Sequence, residues 1–332
     1  MAPLLALLLL AAPPGLTETP PHRFQAHLMG TVFHITIADE VSATVAKAAA
    51  GRAFAEVARV EAKTSEWRPD SEVSAINRAA GVQPVVVSAE TIDLLQGAQR
   101  LAAESQGAFD VTWAALRGLW SFDPKAPKVP TSAALASAVV KIDYRRLQLD
   151  AARRTAFLEA PGMAVGLGAV AKGYGVDRAL AVLKAAGIRH ALVDGGGDLA
   201  VMGRPTSDRL WSVGVQNARG DGLLTTLFVD AGAVVTSGDY ERAVEVDGER
   251  YHHLLDLRTG RPARRSVAVT VRAPEATLAD ALATAAFVLG PEAAFALVAR
   301  YPGVDLALLT PDGRVLTSPR FKALFPPRWD GR

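Results

Sequence analysis

The chain has 332 residues, half of them hydrophobic and 21% charged, with a formal net charge of +2. That is an ordinary soluble globular balance, long enough for one large domain or two intimately joined ones, and it carries no basic stripe that would call for nucleic acid. The sequence contains no cysteine, which excludes disulfide partners, thiolate metal sites, a cysteine nucleophile and a lipid-modified N-terminal cysteine.

In chain order, Leu4–Ala12 is a short apolar run, far below the ~20 residues of a membrane-spanning helix, followed by Pro13-Pro14-Gly15 and a Pro/Thr-rich stretch to His22. Residues 1–25 therefore read as a signal peptide and tether, implying export, and residues 26–332 as the folded unit. No Lys or Arg precedes the run and no A-x-A follows it, so an uncleaved apolar tail is the competing reading. Phe33–Ala38 alternates as a strand. Ser42–Lys63 has Val45, Ala49, Ala53 and Val57 at helical spacing. Helices are expected at Ala89–Ser105, Ser132–Val139 and Tyr174–Ala186, the last ending at Gly187 as a C-cap. The Pro124–Pro130 segment is a loop. Strands follow at Ala191–Val193, Trp211–Gln216 and Leu223–Val229, then a hairpin of Val244–Val246 and Arg250–Leu255 across Asp247-Gly248. The run Ser266–Val271 leads into a helix from Thr277, and Pro291 opens another through Arg300. Leu306–Leu309 and Arg314–Thr317 form a last hairpin. With no linker after Gln25, the pattern gives a mixed α/β (α+β) fold, one compact unit with two interleaved subdomains.

Several segments can carry chemistry. In Thr277–Gly290, Thr277 has the place of an N-cap with an acid three positions on. Asp280 and Thr284 share a helix face and offer a hard divalent cation a carboxylate and a hydroxyl. The same residues could instead answer the helix dipole and bond a backbone carbonyl. Gly166-Leu167-Gly168-Ala169, running into Lys172-Gly173, has the glycines of a phosphate-approaching turn before a helix, without the spacing of any full nucleotide motif. Asp194-Gly195-Gly196-Gly197-Asp198 is either a close-approach loop or a plain turn. His252 and His253 are neighbours on an expected strand, so they face opposite sides and only one can enter a site.

These blocks, with Met29-Gly30-Thr31, Ser65-Glu66-Trp67, Gly107-Ala108-Phe109-Asp110, Thr236-Ser237-Gly238-Asp239-Tyr240 and His253-Leu254-Leu255-Asp256, keep an order and spacing that resemble the FAD:protein FMN transferase (ApbE-like) family over about 300 residues. The resemblance implies a Mg2+-dependent enzyme that cleaves FAD, attaches FMN through its phosphate to a Thr or Ser of a target flavoprotein and releases AMP. It implies flavin contacts at Met29, Trp67, Ala108, Phe109, Asp110, Gly166, Lys172 and Leu255. It implies metal ligands at Asp280, Thr284 and the Ala169 carbonyl, and a catalytic role for His253, leaving His252 a variable neighbour whose loss should be silent. The implied acceptor is a flavoprotein subunit of a membrane electron-transfer system, reached in the periplasm beside the inner membrane. One departure stands out. Many relatives have aspartate where this chain has Gly166, so restoring Gly166→Asp should tighten FAD binding unless Asp194 or Asp198 has taken over. A metal-dependent FAD pyrophosphatase and a non-catalytic FAD-binding protein are the two rival readings.

Overall fold

Eight strands, numbered in chain order, form one antiparallel sheet in the computed structural model, which describes residues 20–322. They are β1 (His22–Leu28), β2 (Thr31–Ile37), β3 (Ala191–Gly195), β4 (Asp198–Met202), β5 (Ala231–Gly238), β6 (Ala268–Ala273), β7 (Asp305–Leu309) and β8 (Val315–Thr317). Each pairs with the next, so the sheet follows chain order from edge to edge. The signal segment Leu4–Ala12 lies outside the described residues. The strand β1 begins at His22, inside the stretch expected to be tether. Its alternation of Phe24, Ala26 and Leu28 with Arg23, Gln25 and His27 is the period of an edge strand. No described helix is long and apolar enough to cross a membrane.

Most of the rest is inserted between these strands, and one short helix, Pro319–Lys322, follows β8. Residues 38–190 leave the sheet after β2 and return at β3, building helices α1 (Ala43–Thr64), α2 (Glu72–Arg78), α3 (Ala89–Glu104), α4 (Ser132–Val139) and α5 (Ala171–Ala185). They also build a small three-stranded sheet of Val85–Val86, Thr155–Leu158 and Leu147–Asp150. Between β6 and β7 come α6 (Ala276–Leu289) and α7 (Pro291–Val298).

The large core lies between the sheet and α1, α5 and α6. Ser42 caps α1 by accepting the Val45 amide at 3.3 Å. The buried stripe of that helix is Ala46, Ala49, Ala50, Ala53, Val57 and Val60, small residues that let α5 lie close. Val45, expected on this stripe, is instead 48% exposed, because the buried face begins one residue later. The opposite face of the sheet is closed by the hairpin Trp211–Gln216/Leu223–Val229. Its inward Trp211, Val213, Val215, Leu227 and Val229 pack with Val201 and Val234. Alternation along β5 sends Ala233 and Val235 to the helix side and Val234 to the hairpin side. The helix expected at Tyr174–Ala186 starts three residues earlier, at Ala171, and Gly187 follows its C-cap at φ 85°.

Candidate active site

The site grows from the crossing of α5 and α6. Gly173 is required there, because a Cβ on it would stand 2.3 Å from the Ala276 carbonyl oxygen and 2.9 Å from the Asp280 Cβ. The cap of α6 is not the one expected. Thr277 is the second residue of the helix, and the N-cap residue Glu275 makes no side-chain cap. Asp177 of α5 does the work instead, accepting the Ala276 and Thr277 amides at 2.8 Å each and the Thr277 hydroxyl at 2.5 Å. The acid three residues on, Asp280, does not close a capping box. Its Oδ2 accepts the Gly173 amide at 3.2 Å, so that amide does not bond the carbonyl four residues back, that of Ala169.

Lys172 joins two buried carboxylates. Its Nζ lies 2.6 Å from Asp198 Oδ2 and 3.8 Å from Asp280 Oδ2, with Asp198 2% and Asp280 3% exposed. Burial, and then the charge of Asp198, hold the Asp280 carboxyl well above its ordinary range against the pull of Lys172 and the Gly173 amide. Burial pulls the Lys172 ammonium down, but the two carboxylates outweigh it and raise its pKa. Two acids share one ammonium, and a cation bound beside Asp280 would favour its ionised form. No group of three or more His, Asp or Glu side chains among the described residues could hold a metal. The remaining donors are neutral oxygens: the partly buried Thr284 hydroxyl one turn along α6 and the Ala169 carbonyl in the turn before α5. One carboxylate with neutral oxygens is a donor set that suits Mg2+.

The two histidines part company. The strand Glu249–His252 ends at His252, and His253 sits in the bend beyond it, its amide donating to the Arg242 carbonyl at 3.1 Å. His253 is partly buried, with Nδ1 buried and unpartnered, which leaves Nε2 as the nitrogen able to meet a substrate. Burial, then the charge of Arg242, push its imidazole down to about 3. It is neutral, as a proton acceptor must be.

His252 is no silent neighbour. It is 3% exposed, its Nε2 lies 3.0 Å from the Ala263 carbonyl, and its ring meets Phe287 edge-on at 5.6 Å. The expectation of a silent loss gives way to a structural role, because the side that avoids the site enters the core. Burial lowers the His252 pKa from 6.5 to about 4, so between those values the unfolded chain binds a proton the folded one refuses. Its contribution is complete above pH 6.5 and is lost as pH falls towards 4, at up to about 1.4 kcal/mol per pH unit. His252→Ala should cost about 2–4 kcal/mol at pH 7 and flatten that acid limb. Urea melts at pH 7 and pH 5 check both, and an unchanged melt at pH 7 would contradict the structural role.

The positions implied as flavin contacts are not equivalent. Met29 and Gly30 form the β1–β2 turn at φ 52° and 72°, the geometry of a type I′ hairpin, and the Met29 sulfur packs against Gly175 of α5. A methionine at positive φ is a strained choice. Trp67 is 72% exposed, with the Arg117 guanidinium 5.4 Å from its ring centroid. Ala108 is partly buried and Phe109 lies in the core. The Asp110 oxygens are taken up by the Thr112 amide and hydroxyl and the Tyr144 amide. Leu255 is buried in a satellite cluster with Leu116 and Leu135. The side chains of Phe109, Asp110 and Leu255 are thus packed or hydrogen-bonded within the fold.

At Gly166 the fold leaves little room for a side chain. A Cβ there would stand 2.9 Å from two ring carbons of Trp113, whose indole nitrogen donates to the Gly166 carbonyl at 2.9 Å. Asp194 Oδ1 accepts the Gly197 amide in its own turn, and Asp198 is held by Lys172. Gly166→Asp should therefore cost about 1–3 kcal/mol by overpacking rather than tighten FAD binding. Thermal melts and FAD titration of that variant check it, and a stable, tighter-binding protein would overturn this reading. The sequence alone does not point to Glu66, Trp113 or Arg242, and it offers Asp198 only as an alternative carboxylate for the turn. Glu66 is 8% exposed, and burial pushes its carboxyl up beside the Leu167 amide and Arg117. The fold brings Glu66 and Trp113 to Gly168, in the turn before α5.

The architecture is that of solved flavin transferases. It aligns over 92% of the chain with the whole of the flavin transferase ApbE from Vibrio cholerae, at a TM-score of 0.80 and 29% identity. It matches 99% of the ApbE protein from Thermotoga maritima at a TM-score of 0.83 and 32% identity. The FAD:protein FMN transferase of Treponema pallidum is 38% identical over 307 residues, covering 88% of this chain and 85% of that protein. The ApbE family model matches residues 29–308, and the chain belongs to the ApbE family.

Proposed function

We propose that the protein is a Mg2+-dependent FAD:protein FMN transferase acting on a Thr or Ser of a flavoprotein. The observation that carries the reading is the buried Asp280–Lys172–Asp198 cluster at the α5–α6 crossing, inside a chain similar along most of its length to proteins named for this activity. Asp280, Thr284 and the Ala169 carbonyl would hold the cation, which when bound supplies charge to offset the diphosphate and polarise phosphorus. The neutral His253 Nε2 takes the proton of the acceptor hydroxyl. The acceptor oxygen bonds the FMN-side phosphorus, the bridging P–O bond breaks, and its electron pair leaves with AMP. Lys172, positioned by both acids, faces the same charge. The exposed Trp67 ring offers a stacking surface for the planar flavin.

The signal-like Leu4–Ala12 run supports an exported, periplasmic protein working beside the inner membrane on a subunit of a membrane electron-transfer system. Incubation with FAD and Mg2+, with and without an acceptor flavoprotein fragment, tests the reading by AMP release. Acceptor-dependent AMP supports transfer. AMP and FMN released equally without acceptor would make the protein a pyrophosphatase, and intact FAD in both would make it a binding protein.

A further inference from the structure

The loops between β5 and β6 are rich in arginine, and every guanidinium there but one is committed. Arg250 lies against Asp239, Arg258 closes on Asp256, and Arg264 on Glu249. Arg261 donates to the Ser132 hydroxyl and Arg265 to the Leu289 carbonyl. Arg242 is exposed, and its side chain makes no hydrogen bond, ion pair or ring contact with any described residue.

Its place is specific all the same. The Arg242 carbonyl accepts the His253 amide at 3.1 Å, so the residue is tied to the histidine by backbone. Its charge bears on His253, Glu66 and Glu241. The other cations nearby already have protein partners. Lys172 is matched by two buried carboxylates, and Arg117 is held by the Glu66 carbonyl and the Trp67 ring. An arginine left unpaired beside a neutral histidine is prepared for an anion that arrives with the substrate, and a guanidinium fork fits phosphate oxygens in a way an ammonium does not.

We infer that Arg242 is a phosphate-binding residue of the transfer reaction, gripping the FMN-side phosphate of FAD at the phosphorus that the acceptor oxygen attacks beside His253. The inference rests on the flavin-transferase reading. Arg242 adds positive charge to the phosphate through the step in which the acceptor O–P bond forms, the bridging O–P bond breaks and AMP departs. Exposure at the rim leaves the fold indifferent to its side chain.

FAD and riboflavin binding to wild type, Arg242→Gln and Arg242→Lys provide the test, followed by flavin fluorescence. Riboflavin has the ring and lacks the phosphates. Arg242→Gln should weaken FAD binding roughly ten- to hundredfold, the worth of a charged hydrogen-bonded contact, with riboflavin binding unchanged. Arg242→Lys should fall between, keeping charge without the fork, and the gap between wild type and Arg242→Gln should shrink as salt rises. Equal FAD affinity in wild type and Arg242→Gln, or an equal loss for riboflavin, would overturn the inference. A wild-type protein that binds no FAD would instead sink the transferase reading beneath it.

Discussion

Asp280→Ala should reduce FAD cleavage at least ~100-fold, since a carboxylate that holds a catalytic cation stands for several kcal/mol of charge stabilisation and each 1.36 kcal/mol is a tenfold change in rate. The fold should survive. Asp280 is 3% exposed and pressed against Asp198, so its removal relieves a like-charge contact while Lys172 keeps its 2.6 Å partner Asp198. What is lost structurally is one acceptor for the Gly173 amide. That separates a site carboxylate from a core residue: activity falls while the melting temperature stays near wild type or rises. AMP release and thermal melts on one preparation measure both, and full Mg2+-dependent turnover in the variant would show that this face of α6 holds no metal.

His253→Ala should lower transfer by about 100- to 10,000-fold, the range of general acid–base contributions, with FAD binding within a few-fold of wild type. The imidazole is pushed down to about 3 by burial and by Arg242, so in the free protein it is unprotonated across the working range and only weakly basic. Bound diphosphate brings negative charge and raises that pKa, which strengthens the base when substrate is present. The pair is diagnostic. His253→Ala fails in chemistry with a normal melt, whereas His252→Ala fails in stability, because one ring meets the site and the other meets Phe287. Rates from stopped time points and FAD titrations distinguish them, and a His253→Ala enzyme at wild-type rate would remove the base from the account.

Much of the fold was legible because its signals are local. The hairpin strands Trp211–Gln216 and Leu223–Val229 and the helix Ser132–Val139 appear where alternation and helical period put them. The misses are non-local. Thr277 has the look of an N-cap, but the capping carboxylate comes from Asp177, 100 residues earlier. The strand expected to run to Leu255 stops at His252, where the chain bends to bond Arg242. The short α2 gives too few turns for a period to show. In the site, the Asp280–Thr284 face could be offered from its own helix as a candidate, and the family resemblance singled it out. The partner of Asp280, Asp198, could not, since a turn of three glycines between two acids says nothing of which acid will meet Lys172. Nor does the gap at Gly166 speak of Trp113, 53 residues away, which fills it.

The intact mass of an acceptor flavoprotein fragment, taken under denaturing conditions after incubation with this protein, FAD and Mg2+, tests the central claim most directly. A gain of one FMN less water, on a Thr or Ser and matched by one AMP in solution, is the predicted result. It should vanish in the Asp280→Ala and His253→Ala proteins. An acceptor of unchanged mass while the wild-type protein turns FAD over to free FMN and AMP would contradict it.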